Sequence, residues 1–328
     1  MKIFDAPPSR WAGVVPALVF LAAAPPSVSF AEKTAVIVST SSVDGETISC
    51  GCKSKDLGGI ARRATVIREV RSTQPVSLVV DAGNFGSETA FEPWMRTTFE
   101  WEMMAKQGYD VVTPGPNEML RGLPALKDLF ATAPGIQVVS ANVTDKAGTL
   151  VWPASTVVEK GGVRFGVTGA TDKAYYSFNV TRGKVSSDDF EFGDIAESLR
   201  RVLPELRQKS DVVVVLLHTG PGDAQRIVPG LESADVVIVG NNPGHKFVPE
   251  KVGDALMVRA GSRGQYVNVL ELTVSDANGI NGHFGEARPM GEGVVEDAEY
   301  KEIVDRFNKE YDDRKEKAGF KEVHHISP

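Results

Sequence analysis

Short apolar runs alternate with stretches of helical spacing along most of the chain. The β-branched runs at 35–40 (AVIVST), 76–81 (VSLVVD), 211–217 (DVVVVLL) and 235–239 (DVVIV) read as buried strands. They are short, continuous and bounded by turn residues. Residues 111–113, 136–141, 255–258 and 267–274 read as further strands. Between them, apolar residues recur at helical spacing over 57–70, 91–106, 123–131 and 194–208. The last of these starts acidic and carries Arg200, Arg201 and Arg207 further on, as the helix dipole favours. Residues 300–315 predict a charged amphipathic helix with Ile303, Phe307 and Tyr311 on one face. Strands at 156–159 and 163–169 flank Gly161-Gly162, a hairpin signal. Strands separated by helices predict helices outside a sheet, and the closely spaced later strands predict a second, more antiparallel sheet. The expected fold is one α/β domain of two stacked sheets.

The first segment reads as an address. Lys2 and Arg10 give a basic start, residues 11–24 are almost all apolar, and Ser29-Phe30-Ala31 places small residues where a signal peptidase cuts. The apolar stretch contains Pro16 and is short for a membrane span. The expected organisation is a signal peptide over 1–31, one domain over 32–296, and a helix with a tail over 297–328. The mature protein is expected to be exported, periplasmic or extracellular, with no stable membrane span.

Composition narrows the function classes. The chain has 328 residues, 42% of them hydrophobic and 24% charged, enough to bury a sizeable core. Its 36 basic and 43 acidic residues leave a net charge of −7, which argues against general nucleic-acid binding. Two cysteines exclude a disulfide-rich fold and a four-thiolate zinc site.

In such folds ligands gather where strands end. The loops directly after strands, 41–59, 82–87, 114–118, 218–222 and 240–245, are all rich in Gly, Asn, Ser or Pro. Five such loops on one sheet edge predict a shared site.

These loops carry a resemblance. Thr40-Ser41-Ser42-Val43-Asp44-Gly45, Gly58-Gly59-Ile60-Ala61-Arg62, Val80-Asp81-Ala82-Gly83-Asn84, Gly115-Pro116-Asn117-Glu118, Ser140-Ala141-Asn142-Val143, Leu217-His218-Thr219-Gly220 and Val239-Gly240-Asn241 follow one another in order. Together they resemble the amino-terminal catalytic domain of secreted 5′-nucleotidases of the calcineurin-like metallophosphoesterase superfamily. The resemblance covers nearly all of the chain after residue 31 and implies a two-sheet αββα sandwich, with mixed sheets and flanking helices.

It also implies a site with two metal ions about 3.5–4 Å apart that activate a hydroxide. The residues at the ligand positions depart from that pattern. Ser42 and Asp44 stand where the family has Asp and His, Asn84 replaces a bridging Asp, and Pro116 and Asn117 replace Asn and His. The last motif reads Gly240-Asn241-Asn242-Pro243, and His218 alone is unchanged. Asn for a bridging Asp removes a full negative charge between two dications, and Pro116 offers no side-chain donor. Transition metals favour imidazole and thiolate. Asp44, Asn84, Asn117, His218 and Asn241 are left as ligands for weak binding of a hard divalent cation through oxygen and one nitrogen. The sequence implies no other cofactor.

Both cysteines lie in Cys50-Gly51-Cys52, in the first loop, followed by Lys53 and Lys55. An exported compartment is oxidising, and basic neighbours favour thiolate. A ring closed over one glycine gains little chain entropy, which speaks against a plain staple. Two thiolates with His218 would alternatively make a soft metal site. The motif resembles the UshA-like (seleno)protein branch, in which Cys-Gly-Cys or Cys-Gly-selenocysteine precedes the Gly-Gly-x-Ala-Arg helix. That resemblance implies redox or sulfur chemistry.

Weaker signals complete the list. His245 lies just past the last motif and reads as a surface histidine, and His324-His325 as part of a tail. Arg62 and Arg63 offer charge for an anion or for surface pairing. Asn142-Val143-Thr144 and Asn179-Val180-Thr181 fit the glycosylation pattern by motif overlap and chance. Three functional readings follow. The first is thiol redox or sulfur chemistry with Cys50 and Cys52 as nucleophile and resolving thiol, His218 as base or ligand, and a thiol-redox partner. The second is a residual phosphoesterase. The third is a non-catalytic module that holds a small molecule or partner in the cleft.

Overall fold

The structure is a computed structural model that describes residues 32–51, 56–88, 91–186, 188–241, 244–259, 261–275 and 279–320. The signal-peptide expectation, Cys52, Lys53, Lys55, Asn242, Pro243 and His324-His325 lie outside the described residues.

The chain runs β1 (Glu32–Thr40), α1 (Ile60–Thr73), β2 (Ser77–Asp81), α2 (Pro93–Gln107), β3 (Val111–Val112), α3 (Pro116–Met119), α4 (Leu123–Ala131), β4 (Gln137–Val138) and β5 (Val143–Asp145). It continues with β6 (Ser155–Lys160), β7 (Val163–Thr171), α5 (Ala174–Thr181), β8 (Phe190–Phe192), α6 (Ile195–Lys209), β9 (Val212–His218) and α7 (Pro221–Ile227). The last elements are β10 (Val236–Val239), β11 (Glu250–Val252), β12 (Ala255–Val258), β13 (Tyr266–Ser275), β14 (Gly279–Pro289) and α8 (Ala298–Lys317).

Two six-stranded sheets form, in the orders β14-β13-β1-β2-β3-β4 and β11-β12-β10-β9-β7-β6, with β5 and β8 as a separate pair. Both sheets are mixed. β1 runs parallel to β2 and antiparallel to β13, and β9 runs parallel to β7 and β10. The strand period of two explains the continuous apolar runs. Ala35 and Ile37 of β1 face the core between the sheets, with Leu78, Val80, Phe165, Val167, Val214 and Leu216. Val36 and Val38 face outward, onto Val66, Trp101 and Met104 of α1 and α2. On the far side Val213, Val215 and Val237 meet Leu199, Leu203 and Leu206 of α6. The expected two-sheet α/β sandwich with flanking helices is the observed architecture.

Several boundaries and pairings differ from expectation. The first helix begins at Ile60 because Gly58 and Gly59 take φ of 107° and 102°, which a helix does not accept. The strands at 255–258 and 267–274 do not share a sheet: β12 lies parallel to β10, and β13 lies antiparallel to β1. The second sheet is antiparallel only at its two edges, β11-β12 and β6-β7. The β6-β7 hairpin forms as expected, with Gly161 and Gly162 at φ of 54° and 75°. Strand 136–141 shrinks to two residues.

α8 closes the outer layer. Asp297 caps it by accepting from the N–H groups of Glu299 and Tyr300, and Phe307 stacks on Phe99 of α2 at 3.8 Å between ring centroids.

Candidate functional site

The carboxyl ends of β1, β2, β3, β7, β9 and β10 lie at one edge of the sandwich, and polar contacts stitch the two sheets together there. Ser41 Oγ donates to Val239 O at 3.3 Å, Thr171 Oγ1 to Pro114 O at 2.7 Å, and Ala141 N to Gly169 O at 2.7 Å. The loops expected to share a site therefore do meet. Among the described residues, four of the seven non-glycine residues with positive φ sit in them: Ser42, Asp44, Asn84 and Asn241. Strained backbone of this kind persists where the surroundings fix it, and it concentrates at functional sites.

His218 ends β9 and is wholly buried. Its Nδ1 lies 2.7 Å from Ala82 O, a carbonyl that only accepts, so the proton is on Nδ1. Nε2 is then a bare lone pair, and it has no partner. Burial holds the imidazole neutral down to about 4. Glycines make room for it: a Cβ on Gly240 would lie 2.5 Å from Nδ1, and one on Gly83 would lie 2.8 Å away.

Asn84 and Asn117 face each other across the loops after β2 and β3. Asn84 Oδ1 accepts from Asn117 N at 3.0 Å. Asn117 Nδ2 donates to Gly86 O at 3.0 Å and to Asp44 Oδ1 at 3.3 Å, while Asn117 Oδ1 is buried without a partner. Burial, then the charges of Glu46 and Glu88, push the Asp44 carboxyl up to about 8. Pro116 occupies the first turn of α3, where its missing N–H costs nothing. Ser42 is 1% exposed; its N–H donates to Gly83 O at 2.8 Å and its carbonyl accepts from Arg263 N at 2.6 Å. Asn241 is half-buried at the end of β10.

Glu118, quoted in the third motif but given no role from sequence, holds the loops in register. Its carboxylate accepts from the N–H groups of Gly86 and Gly115 at 2.6 Å and of Asn84 at 3.1 Å. Burial pushes its carboxyl up to about 8 against those three donors. Asp81, below it, accepts from Thr40 Oγ1 at 2.6 Å and Gly83 N at 2.7 Å, and burial raises it to about 6.

The Cys50 segment folds back on itself. Cys50 N donates to Leu57 O at 3.0 Å and Ser49 bridges to Gly58. Asp56 accepts from Gly51 N at 3.0 Å and pairs with Arg62 at 3.1 Å. Cys50 is half-buried and close enough to Arg263 for the two to interact electrostatically. Arg263 in turn binds Glu46 at 2.7 Å and the Ser42 carbonyl. This arginine holds the start of the loop that carries Cys50, and no motif in the sequence marks it.

Other sequence candidates resolve differently. Arg62 and Arg63 are not free to hold an anion: both are buried, Arg62 on Asp56 and Arg63 on Glu100 at 2.5 Å. His245 is exposed and stacks on Tyr266 at 4.1 Å. Asn142 and Asn179, the two glycosylation matches, are buried, and Asn142 donates to Thr171 O and Gly193 O. Among the described residues no group of three or more His, Cys, Asp or Glu is placed to hold a metal ion. No helix among them is long and apolar enough to cross a membrane.

Two facing mixed sheets with helices on both sides and a loop cleft at the strand ends define an αββα sandwich of the metallophosphoesterase type. The comparisons with known proteins agree. No family model matches the chain. A protein described as a probable 5′-nucleotidase of Treponema pallidum is 28% identical over 189 residues, covering 56% of this chain and 31% of the relative. The snake venom 5′-nucleotidase of Gloydius brevicauda is 25% identical over 284 residues, covering 78% and 47%. The 5′-nucleotidase precursor of Thermus thermophilus superposes with a TM-score of 0.73 at 25% identity, over 85% of this chain and 59% of that one. A calcineurin-like phosphoesterase of Bacillus subtilis gives 0.71 at 18% identity, over 85% and 98%. The chain is thus similar in sequence and in fold to the amino-terminal domain of 5′-nucleotidases and to calcineurin-like phosphoesterases. It spans less than half the length of these two curated relatives.

Proposed function

We propose that this chain is an exported protein that keeps the 5′-nucleotidase-like scaffold without its two-metal chemistry and acts by thiol–disulfide exchange through Cys50 and Cys52. The donor set argues against a metal pair. Asn84 gives its amide oxygen to a backbone N–H, Asn117 turns its amide nitrogen towards Asp44, and Ser42 and Pro116 supply no charge. One imidazole and one carboxylate do not hold two dications.

The observation that carries the thiol reading is Arg263. Its positive charge acts on Cys50 and it is bonded to the cleft's first loop, and a nearby positive charge favours thiolate. In the proposed step a Cys50 or Cys52 thiolate attacks a disulfide of a partner. The resulting mixed disulfide releases one partner thiolate. The second cysteine then attacks the first, which releases the other partner thiolate and leaves the pair oxidised. The partner gains the two electrons. His218, held neutral, serves as a hydrogen-bond acceptor or ligand in preference to a general base.

Redox titration of the purified mature protein against glutathione, with thiol counting, tests this. The expected result is two thiols that exchange reversibly, and a Cys50→Ser variant that folds normally and exchanges nothing. A potential below about −300 mV with no exchange would reduce the pair to a staple.

The relatives' names favour a second reading, hydrolysis of phosphate esters. Elemental analysis together with assays on a phosphomonoester in Mn²⁺, Zn²⁺, Co²⁺ or Ca²⁺ separates the two. Retained metal with turnover would replace the thiol proposal by this one.

A further inference from the structure

At the cleft, Asp44 and Asn117 of the motif positions lie in a cluster with Glu88, Asn179 and Tyr175, which no motif announces. The loops carrying Asp44 and Glu88 run side by side. Asp44 N donates to Asn84 O and Gly45 N to Phe85 O, both at 2.9 Å, and Gly45 comes so close to Ser87 that a Cβ would lie 2.6 Å from it. The two half-buried carboxylates feel each other's charge.

Each is held by the amide of a buried asparagine. Asn117 Nδ2 donates to Asp44 Oδ1 at 3.3 Å, and Asn179 Nδ2 donates to Glu88 Oε2 at 3.4 Å. Tyr175 Oη donates to Glu88 Oε1. The other end of each amide is unmet. Asn117 is 3% exposed and Asn179 0%, and neither Oδ1 has a donor. A buried acceptor without a donor is destabilising. Nε2 of His218 is a third unpartnered acceptor on the same edge.

The unmet groups on Asn117, Asn179 and His218 are therefore all acceptors, Glu88 supplies a carboxylate, and a cation would draw off the proton that Asp44 holds up to about 8; the guanidinium of Arg96 is turned to Gly45 O at 3.1 Å. Glu46 adds a further carboxylate, and the nearby guanidinium of Arg263 is already engaged with it at 2.7 Å. A phosphate would add negative charge and bring no donor. A metal ion needs its ligands within about 2.0–2.6 Å of one point, and no three acidic, histidine or cysteine side chains among the described residues are so placed. An ammonium or guanidinium group fits both deficits. It is positive, and its N–H groups reach about 2.7–2.9 Å in several directions.

We propose that Asp44 and Glu88, backed by Asn117, Asn179 and Tyr175, bind an organic cation bearing an ammonium or guanidinium group. The proposal stands independently of the cysteine chemistry.

Calorimetric titration of the mature protein tests it, with agmatine and spermidine as organic cations, Mg²⁺ and Ca²⁺ as metal ions, and inorganic phosphate as anion. The expected result is one-to-one binding of at least one organic cation, weakened by added salt, and no binding of phosphate. Glu88→Gln should weaken that binding by about tenfold or more, whereas Glu302→Gln, on the exposed face of α8, should not. In the unsubstituted protein the bound cation should slow carbodiimide labelling of Glu88, a readout that survives if the variant fails to fold. Absence of organic-cation binding, binding untouched by Glu88→Gln with labelling unslowed, or displacement of the cation by tighter-binding Mg²⁺ or Ca²⁺ would each overturn the proposal.

Discussion

At the scale of single residues, His218 is tightly constrained. Two glycines leave just enough space for its ring, and a backbone carbonyl fixes its tautomer. This has a consequence for stability. In the unfolded chain the imidazole takes a proton near 6.5, whereas in the fold it stays neutral to about 4. As pH falls from 6.5 to about 4, the unfolded state binds a proton that the native state does not. The stability present above that window is lost across it, by about 3 kcal/mol. Asp44, Asp81 and Glu118 have raised values, so their contribution runs the other way, but they are common to any comparison at position 218. A His218→Gln variant should therefore lose less stability than the parent between pH 7 and pH 4.5. Urea unfolding at the two values measures this, and parallel losses would show that the ring is not desolvated as described.

At the scale of elements, the strand-end loops behave as one unit. Glu118 ties the loop after β2 to the start of α3, and the Asn84–Asn117 bond lies between the same two segments. Repairing one loop alone should not rebuild a metal pair. Pro116→Asn with Asn117→His returns an amide and an imidazole, but Ser42 and Asn84 still lack their charges. Phosphomonoester hydrolysis with Mn²⁺ is expected to stay at background, and turnover well above it would show that the loops retain a metal-binding frame.

These loops also show what the sequence reveals and what it hides. β1, β9 and β10 are legible because they are buried on both faces and so appear as unbroken Val, Ile and Leu runs. The β6-β7 turn is legible because two consecutive glycines supply its positive φ. β14 is not, because Gly282, His283 and Gly285 lack strand character and pairing with β13 makes the strand. The partners Arg263 with Glu46 and Asn179 with Glu88 are distant in sequence, and no local spacing joins them. The five strand-end loops are legible as a set, whereas the contacts inside the set depend on tertiary packing.

At the scale of the whole molecule, the two sheets come into close contact beside the cleft. A Cβ on Gly169 of β7 would lie 1.7 Å from Thr113 Oγ1 and 3.0 Å from Leu216 O. Thr113 follows β3 in the other sheet and donates to Val139 O at 3.1 Å. Gly169→Ala should thus force the sheets apart at this seam and cost about 3 kcal/mol, in the upper range for overpacking. In a Thr113→Gly background the same change should cost less, since the nearest obstruction is gone. Denaturant unfolding of the four proteins in the cycle gives the coupling, and additive costs would place the clash elsewhere.

The position of β1 sets the timing of assembly. Its parallel neighbour β2 follows within a few dozen residues, but its antiparallel neighbour β13 joins Glu32 to Ser275, near the opposite end of the chain. Contacts of such long range form slowly, since a large loop must close before they are rewarded. The first sheet therefore stays open on one side of β1 until most of the polypeptide has been made. A nascent chain of this design remains extensible late into synthesis, and its cleft, which needs both sheets, is among the last features to appear.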